Sequence, residues 1–344
     1  MKLSVIIPVF NVVDYLRETL DCIVGQTYTD WELILVDDGS TDGSLDVAKE
    51  YCAKDSRISL FQRDTLPKGA PNCRNIGLSK AKGKYVIYLE SDDIIAPYCF
   101  KQRVDYVEEN ECDFAVFPLV GFYNKFFDAD GMVFGYKPEG DAVSALLART
   151  LPFVVVSNIY KREALVNSVV KWDTELKSYQ DSDYNLQAIK AGLTYKVSNL
   201  LPDYFYRLSA QNSICKKLGK ASNCLSQIGF LEKQWRIYGD NKQYRKALDI
   251  CAAQVLQNIF CCEDPKTTVA KFLGLKQFEG RWILKNNIRM ARAIHSLWSN
   301  ETVLSVVQII LIPVFFLRFK KCFRNWNNRN VLLYRELEQK YKLV

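Results

Sequence analysis

The chain has 344 residues, of which 49% are hydrophobic and 25% are charged. This composition is typical of globular proteins and excludes a collagen-like or largely disordered chain. The length exceeds that of one ordinary domain, so we expect a main domain and an accessory part. The single histidine, His295, excludes most catalytic triads and histidine-rich zinc sites, which leaves carboxylates as the expected catalytic groups.

The cysteines and the N-terminus bear on the compartment. Eleven cysteines occur without any Cys-x-x-Cys spacing, and their odd number argues against a complete disulfide framework. Pro8, Asn11 and Asp14 interrupt the first apolar residues too early for a signal peptide, so we predict a β-strand there. These features predict a cytoplasmic protein.

Charge divides the chain into two unlike parts. Residues 1–209 hold 23 Lys and Arg against 30 Asp and Glu, a net charge of −7, whereas residues 210–344 hold 23 against 9, a net charge of +14. A strongly basic C-terminal part predicts an anionic partner, such as a membrane surface or a polyphosphate. The sequence has no nucleic-acid-binding motif, and we expect no nucleic-acid partner.

The acidic part alternates strands and helices along the chain. Continuous apolar runs predict buried strands over residues 4–10, 31–36, 57–62 and 85–89. Helical spacing follows the first strand, with Asn11 as the expected N-cap, and recurs over residues 44–54 and 73–81. This alternation predicts an α/β domain with a parallel sheet, whose functional groups gather at the carboxyl ends of the strands.

Acidic pairs follow two of these strands. Asp37 and Asp38 end the second strand, and Asp92 and Asp93 follow the fourth. Both pairs are therefore expected at one edge of the sheet, where Asp37 and the nearby Asp42 are interpreted as turn-forming residues. The glycine loops of dinucleotide and P-loop sites do not occur in the sequence, so a phosphate bound at this edge would need a metal ion.

Four segments then occur in order along the chain. They are SVIIPVFN from residue 4, VDDGSTDGS from residue 36, RNIGLSKAKGKYVIYLESDD from residue 74 and SYQDSDYNLQAIKAG from residue 178. Together they resemble the family 2 glycosyltransferases over about the first 210 residues. The resemblance implies an α/β fold of GT-A type, Rossmann-like with a mostly parallel sheet flanked by helices, over residues 1–215. A basic helical appendage is expected over residues 216–344.

The resemblance places Asp92 and Asp93 at the family's metal-binding motif, where Mn²⁺ or Mg²⁺ bridges a carboxylate and the diphosphate of a nucleotide-sugar donor. Oxygen ligands and substrate phosphates suit either cation. We expect Asp93 to be the main ligand and Asp92 to contact the donor ribose or share the ion. The family often has Asp where this chain has Glu90, which is therefore not assigned as a ligand. An acidic turn that caps the next helix is the alternative.

The resemblance also implies four contacts to the donor. Asp38 would hydrogen-bond the nucleotide base while Phe10 stacks on it, and Arg74 and Arg207 would face the diphosphate. Each residue has a structural alternative. Phe10 could pack in the core, Asp38 could cap a turn, Arg74 could lie on the surface and Arg207 could pack among tyrosines.

Asp181 is the expected catalytic base, by resemblance to the family's acidic segment before an apolar helix. Attack by an acceptor hydroxyl requires removal of its proton, which a nearby carboxylate can accept. The alternative is that Asp181 caps a helix over residues 184–191, and Asp183 is the second candidate for the base. Gln180 stands where the family usually has Glu.

The basic part has helical spacing over residues 221–262 and 281–298. Residues 302–317 are uncharged and mostly apolar, Pro313 interrupts them, and basic and aromatic residues follow. Because a membrane-spanning helix needs about 20 apolar residues, we predict that residues 302–326 lie on an anionic membrane surface. A helix buried against the catalytic domain is the alternative.

These expectations describe a metal-dependent, inverting glycosyltransferase with a UDP-sugar donor, located in the cytoplasm and peripheral to the membrane. Its acceptor would be a hydroxyl of a glycan or lipid-linked glycan in the assembly of cell-surface polysaccharide. Transfer of a single sugar is expected, because processive synthases carry several spanning helices. A catalytically silent module that binds nucleotide sugars or glycans, and a nucleotidyltransferase, are the two alternatives.

Overall fold

The computed structural model describes residues 1–125, 127–129, 132–137, 140–150, 153–209, 220–260, 262–278 and 334–340. The strands are β1 Leu3–Val9, β2 Trp31–Asp37, β3 Ile58–Gln62, β4 Tyr85–Tyr88, β5 Ile94–Ile95, β6 Phe114–Val116, β7 Leu119–Phe122, β8 Val133–Phe134, β9 Asn158–Lys161, β10 Tyr195–Val197 and β11 Tyr204–Arg207. The helices are α1 Val13–Val24, α2 Ser44–Lys54, α3 Ala70–Lys80, α4 Cys99–Glu109, α5 Ala142–Leu147, α6 Arg162–Asn167, α7 Gln180–Lys190, α8 Ala221–Tyr238, α9 Lys242–Phe260 and α10 Pro265–Leu273. Residues 334–340 form a further helix, the C-terminal helix.

The strands form two sheets. The larger has seven strands in the order β10-β6-β9-β4-β1-β2-β3, and β9 is antiparallel to both of its neighbours while the other pairs are parallel. The smaller has the order β5-β11-β7-β8. The predicted α/β fold with a mostly parallel sheet and flanking helices is therefore confirmed.

The first strands are buried on both faces, as their continuous apolar runs predict. Alternate residues of β1 join different clusters, with Val5 and Ile7 on one face of the sheet and Ile6 on the other. Helix α3 packs closely against β1 at Gly77, where an added Cβ would lie 2.3 Å from Cγ2 of Ile6. A glycine at this position lets the helix and the strand approach.

Three helix starts differ from the prediction. Asn11 is not the N-cap of α1. Its backbone is left-handed (φ 47°) and its side chain accepts a hydrogen bond from the Thr41 N–H, while Asp42 and Ser44 accept from the first N–H groups of the helix. Side chains from a distant turn, Asp42 and Ser44, therefore cap the start of α1 in place of Asn11.

Helices α3 and α7 begin earlier than predicted. Helix α3 starts at Ala70 because Pro71 lies in its first turn, where proline's missing N–H costs no hydrogen bond. Helix α7 starts at Gln180, with Tyr179 at the N-cap. Asp181 thus lies inside the first turn, and its expected alternative role as the helix N-cap is wrong.

Helices α8, α9 and α10 pack onto the α/β domain. Buried residues of α8 and α9, such as Ile228 and Leu256, share one hydrophobic cluster with Val36 of β2 and Tyr184 of α7. In place of the single helical stretch predicted over residues 221–262, the structure has two helices, α8 and α9, which are joined at residues 239–241.

The C-terminal helix packs against the smaller sheet. Tyr334 and Leu337 are buried beside Val120 and Phe205, and the Tyr334 hydroxyl accepts a hydrogen bond from the Ala129 N–H at 3.1 Å. No helix of the described ranges is long and apolar enough to cross a membrane. The predicted helix over residues 281–298 and the predicted membrane segment, residues 302–326, lie outside the described residues.

Candidate functional site

Four elements bring their ends to one edge of the larger sheet. Strands β1, β2 and β4 are parallel, so the residues that follow them meet at this edge. Strand β9 runs the opposite way, which brings its first residue and the preceding 3₁₀ turn, Val155–Ser157, to the same edge. Residues far apart in the chain can therefore act together here.

Asp38 and Phe10 lie where β2 and β1 end. Asp38 is buried, and its carboxylate accepts hydrogen bonds from Arg63 Nε and from the Gly69 N–H at 3.3 Å. Phe10 is 45% exposed, and Lys68 Nζ lies 3.7 Å above its ring centroid. The core alternative for Phe10 is thus wrong, and Lys68 covers one face of its ring.

Asp37 and Asp42 organise the turn beside this pair. The Asp37 carboxylate accepts from the N–H groups of Gly39 and Ser40, and Asp42 accepts from Ser44. Both residues are the turn formers that the sequence predicts.

The carboxylate of Asp93 is buried in the protein. It is 2% exposed, Oδ2 accepts from the Tyr204 hydroxyl at 2.5 Å, and Oδ1 accepts from the Arg207 N–H at 2.7 Å. Burial and the neighbouring Asp92 raise the pKa of Asp93 well above its usual range. The expectation that Asp93 is the main metal ligand does not fit this geometry, because both carboxylate oxygens already accept hydrogen bonds from the smaller sheet.

The surroundings of the Asp92 carboxylate differ from those of Asp93. Its side chain is partly exposed, and within the described ranges only its own backbone N–H is hydrogen-bonded to the carboxylate. Burial, with the negative charge of Glu90 next in importance, raises the pKa of Asp92 to about 6. A carboxylate with these surroundings would gain from a cation, so Asp92 fits the donor set of a divalent ion better than Asp93 does.

The described residues contain no group of three or more His, Cys, Asp or Glu side chains that could hold a metal by themselves. A cation at Asp92 would therefore complete its coordination with oxygens of the substrate and water. Magnesium is commonly held in this way, by one or two carboxylates together with substrate phosphates.

Arg74 connects the end of β4 with the start of α7. Its guanidinium donates to the Glu90 carboxylate and, at 3.3 Å, to Oε1 of Gln180, and it lies 4.3 Å above the ring of Trp172. Arg74 is only 4% exposed, so the expected alternative of a surface arginine is wrong. Burial raises the pKa of Glu90, and the charge of Arg74 opposes this shift.

Asp181 lies next to this contact. Its Oδ1 accepts from the Val155 N–H at 3.1 Å, and the side chain remains partly exposed. The charge of Asp181 also contributes to the raised pKa of Glu90, so the two carboxylates are within electrostatic range of each other. The structure thus gathers Arg74, Glu90, Gln180 and Asp181 at the sheet edge.

Asp183, the second candidate for the base, is turned away from that edge. It is buried, and its carboxylate accepts from Gln187, from Lys233 at 2.9 Å and from Gln234 at 2.8 Å. These contacts connect α7 with α8. Asp183 is therefore a structural residue.

Arg207 contacts protein groups in this arrangement. Its Nε donates to the Asp92 carbonyl at 2.8 Å, its Nη2 donates to Glu18 at 2.5 Å, and its guanidinium lies 4.8 Å from the Phe122 ring centroid. These contacts match the packing alternative for Arg207, and its contact with a donor stays a prediction. The residues that follow, 210–219, lie outside the described residues.

Sequence reasoning missed the residues that support this site. Tyr204 holds Asp93, Trp172 lies under Arg74, and the buried pair of Arg103 and Asp203 fixes the start of β11. The signal for Asp203 is weak, because only its position before an apolar strand distinguishes it from a surface acid. No local pattern in the sequence predicts which arginine it meets.

Part of the chain is similar to known glycosyltransferases. The family model described as Glycosyl transferase family 2 matches residues 4–165. The poly(ribitol-phosphate) beta-glucosyltransferase of Bacillus spizizenii is 31% identical over 209 residues, which is 60% of this chain and 32% of the relative. The chain therefore spans about a third of that relative's length.

Solved structures share the fold. The Staphylococcus aureus TarS fragment 1–349, in complex with UDP-GlcNAc, matches 100% of this chain and 92% of its own with a TM-score of 0.58 and 18% identity. The mannosyltransferase PcManGT from Pyrobaculum calidifontis, in complex with GDP-Man and Mn²⁺, matches 90% of this chain and 87% of its own, with a TM-score of 0.52 and 18% identity. The fold is thus of GT-A type, and residues 4–165 are similar to glycosyltransferase family 2.

Proposed function

We propose that the protein is a divalent-cation-dependent, inverting glycosyltransferase that moves one sugar from a UDP-sugar to an acceptor hydroxyl. The observation that carries this proposal is the contact of Arg74 with both Glu90 and Gln180. Through this contact the end of β4, which would hold the donor diphosphate, is attached to α7, the helix that carries Asp181. The donor and the base would therefore lie close to each other.

Asp38 and Phe10 are proposed to bind the nucleotide base. The exposed ring of Phe10 can stack on a base, and Asp38 can accept a hydrogen bond from a base N–H. UDP is favoured as the nucleotide because the fold relative TarS was solved with UDP-GlcNAc. The GDP-mannose in the Pyrobaculum structure makes GDP-sugars the second class to test.

Asp92 is proposed to hold Mn²⁺ or Mg²⁺ together with the donor diphosphate, while Asp93 positions the turn through Tyr204 and Arg207. When bound, the cation would neutralise negative charge that develops on the leaving diphosphate. Arg74 supplies a fixed positive charge close to the same point, held in place by Glu90 and Trp172. The Mn²⁺ in the Pyrobaculum relative supports the choice of metal.

Asp181 is proposed to accept the proton of the attacking hydroxyl. The Val155 N–H fixes one carboxylate oxygen, and the other, which accepts no hydrogen bond from the described residues, would face the acceptor. Attack in line with the leaving diphosphate would invert the anomeric carbon, and positioning of the two substrates would supply much of the rate. The side chain of Gln180 is neutral. It accepts a hydrogen bond from Arg74 without adding a charge beside Asp181.

The acceptor is proposed to be a hydroxyl of a cell-surface polymer, such as a polyol phosphate or a lipid-linked glycan. The support is the name of the Bacillus relative, a poly(ribitol-phosphate) glucosyltransferase, together with the net charge of +14 on residues 210–344. A basic surface would attract an anionic polymer or an anionic membrane.

Release of the nucleotide tests the proposal. The protein is incubated with a panel of UDP- and GDP-sugars and with candidate acceptors, in the presence of Mn²⁺ or of EDTA, and UDP or GDP is measured. We expect UDP release that depends on Mn²⁺ and on Asp181. Donor binding without turnover would indicate the silent module, and pyrophosphate release from a nucleoside triphosphate would indicate a nucleotidyltransferase.

A further inference from the structure

Arg149 occupies a backbone position that favours glycine. At the end of α5 the Arg149 N–H donates to the Leu146 carbonyl and the Thr150 N–H donates to the Ala145 carbonyl, the hydrogen-bond pattern of a Schellman motif. The residue at the turn of this motif is left-handed, and Arg149 has φ 59°. A bulky side chain in this conformation is strained, and strain of this kind is found most often at functional sites.

The side chain of Arg149 reaches the start of α7. Its guanidinium carbon lies 3.7 Å from the ring centroid of Tyr179, and Nη1 donates to the Ser182 hydroxyl. Tyr179 is also left-handed, with φ 66°. Two strained residues therefore stack on each other directly beside Asp181, which immediately precedes Ser182 in the chain.

The structure shows no counter-charge for Arg149 within the residues it describes. Among the described residues no carboxylate pairs with it, and its buried Nε has no hydrogen-bond partner. The other three arginines at this site each contact a carboxylate, Arg63 that of Asp38, Arg74 that of Glu90 and Arg207 that of Glu18. An arginine that is partly buried without an anion bears a desolvation cost that a bound anion would offset.

We propose that Arg149 binds a phosphate group of the acceptor, beside the hydroxyl that Asp181 deprotonates; this inference rests on the proposed function. Nη2 makes no hydrogen bond to the described residues, and the side chain is partly exposed, so an anion can approach it. A planar guanidinium forms strong, charge-assisted hydrogen bonds with phosphate oxygens. The acceptor would accordingly be a hydroxyl-bearing phosphate ester.

Binding of glycerol 3-phosphate tests the inference without turnover. The donor site is first filled with UDP and Mn²⁺, and glycerol 3-phosphate is then titrated by calorimetry. We expect saturable binding to the wild type that Arg149→Gly weakens about tenfold or more, the loss expected for one charge-assisted hydrogen bond. Arg236→Gln is the matched control, because Arg236 is exposed and its substitution removes the same charge.

Several results of this titration would overturn the inference. They are the absence of saturable binding to the wild type, equal affinity of the wild type and Arg149→Gly, and equal affinity of the wild type for glycerate, which has a carboxylate in place of the phosphate. An effect of Arg236→Gln as large as that of Arg149→Gly would also contradict it, because the loss would then report overall charge.

Folding can be separated from binding at this position. Because glycine suits the left-handed backbone, Arg149→Gly is expected to have a melting temperature no lower than that of the wild type. Arg149→Lys keeps the charge without the planar fork and should retain part of the phosphate affinity. A lowered melting temperature in Arg149→Gly, with phosphate affinity unchanged, would show a purely structural arginine and overturn the inference.

Failure of the proposed function is recognised separately, in the wild type alone. If the wild type releases no nucleotide from any donor, the proposed function fails whatever the phosphate titration gives. If the wild type releases UDP, Arg149→Gly is expected to raise KM for a phosphate-ester acceptor by a larger factor than it lowers kcat. An unchanged KM would overturn the role of Arg149 and leave the transferase activity intact.

Discussion

Asp92 and Asp93 share one turn yet have different surroundings. The oxygens of Asp93 accept hydrogen bonds from Tyr204 and Arg207, whereas Asp92 is partly exposed and lies within electrostatic range of Glu90. The sequence of the acidic pair does not predict which of its two carboxylates is buried.

Substitution of each acid separates these roles. Asp92→Asn is expected to lose at least tenfold in Mn²⁺-dependent affinity for UDP, because it removes the charged ligand. Asp93→Asn should change that affinity by only a few-fold, since the buried carboxyl has a raised pKa and a neutral amide can replace it. UDP titrations with Mn²⁺ and with EDTA measure both. Loss of the Mn²⁺ effect in Asp93→Asn alone would restore Asp93 as the ligand.

The two acids of α7 differ in a similar way. Asp181→Asn should lower kcat by about 100- to 10,000-fold, the usual contribution of a general base, with UDP affinity close to that of the wild type. Asp183→Asn instead weakens the contacts with Lys233 and Gln234, so its main effect should be a lower melting temperature. Single-turnover kinetics and thermal unfolding measure the two effects. Near-normal turnover in Asp181→Asn would refute its assignment as the base.

At the scale of elements, a buried ion pair attaches α4 to β11. Arg103 and Asp203 are both 0% exposed, and the guanidinium donates to the two carboxylate oxygens at 2.9 and 2.6 Å. Arg103 also donates to the Val156 carbonyl, in the turn that contacts Asp181. The pair thus fixes elements on both sides of the candidate site.

Breaking this pair should be costly. Asp203→Asn leaves a buried guanidinium without its counter-charge, and we expect a loss of about 3–5 kcal/mol in the free energy of unfolding. The double variant Arg103→Met with Asp203→Leu removes both charges and should be more stable than Asp203→Asn. Urea unfolding at constant pH measures the free energy of unfolding of the wild type, of Asp203→Asn and of the double variant. An exposed ion pair contributes up to about 1 kcal/mol to the free energy of unfolding. A loss smaller than this in Asp203→Asn would therefore contradict the role of the buried pair.

Across the whole molecule, the C-terminal helix packs on the α/β domain of the same chain. It buries Tyr334 and Leu337 against the smaller sheet, next to Phe205. Phe205 follows Tyr204, the residue whose hydroxyl donates to Asp93. Packing of the C-terminal helix therefore supports the strand that fixes the turn of Asp92 and Asp93.

Tyr334 provides the test of this contact. Tyr334→Ala is expected to lower the free energy of unfolding by about 3 kcal/mol, as for other large buried side chains, and Tyr334→Phe by about 1 kcal/mol through loss of the hydrogen bond from Ala129. Arg335→Ala, at an exposed position of the same helix, should stay within about 0.5 kcal/mol of the wild type. Equal stability of Tyr334→Ala and Arg335→Ala would show that the helix contributes nothing to the fold.

The basic part should bind anionic lipid. Lys320→Gln with Lys321→Gln is expected to weaken association with phosphatidylserine vesicles about 30-fold at low salt, at about 1 kcal/mol for each lysine. The matched control is Lys49→Gln with Lys54→Gln, which removes two exposed lysines from the acidic part. Vesicle sedimentation measures the binding. The interfacial segment would be ruled out by equal binding of both double variants.

The α/β alternation and the meeting of strand ends at one sheet edge can be predicted from the amino-acid sequence. These features follow from local patterns, because apolar runs and turn residues act over a few neighbouring positions. Local prediction failed at helix starts: Asp42 and Ser44 of another turn replace Asn11 at the start of α1, and α3 and α7 begin earlier than predicted.

Contacts between distant segments, by contrast, fix which carboxylate of an acidic pair is buried. The side of a turn to which a carboxylate points depends on partners far away in the chain, such as Tyr204 for Asp93 and Lys233 for Asp183. The same holds for Arg149, whose contact with Ser182 forms only because the end of α5 lies beside the start of α7. Hydrogen bonds between distant segments are satisfied by the fold as a whole, and no local pattern encodes them.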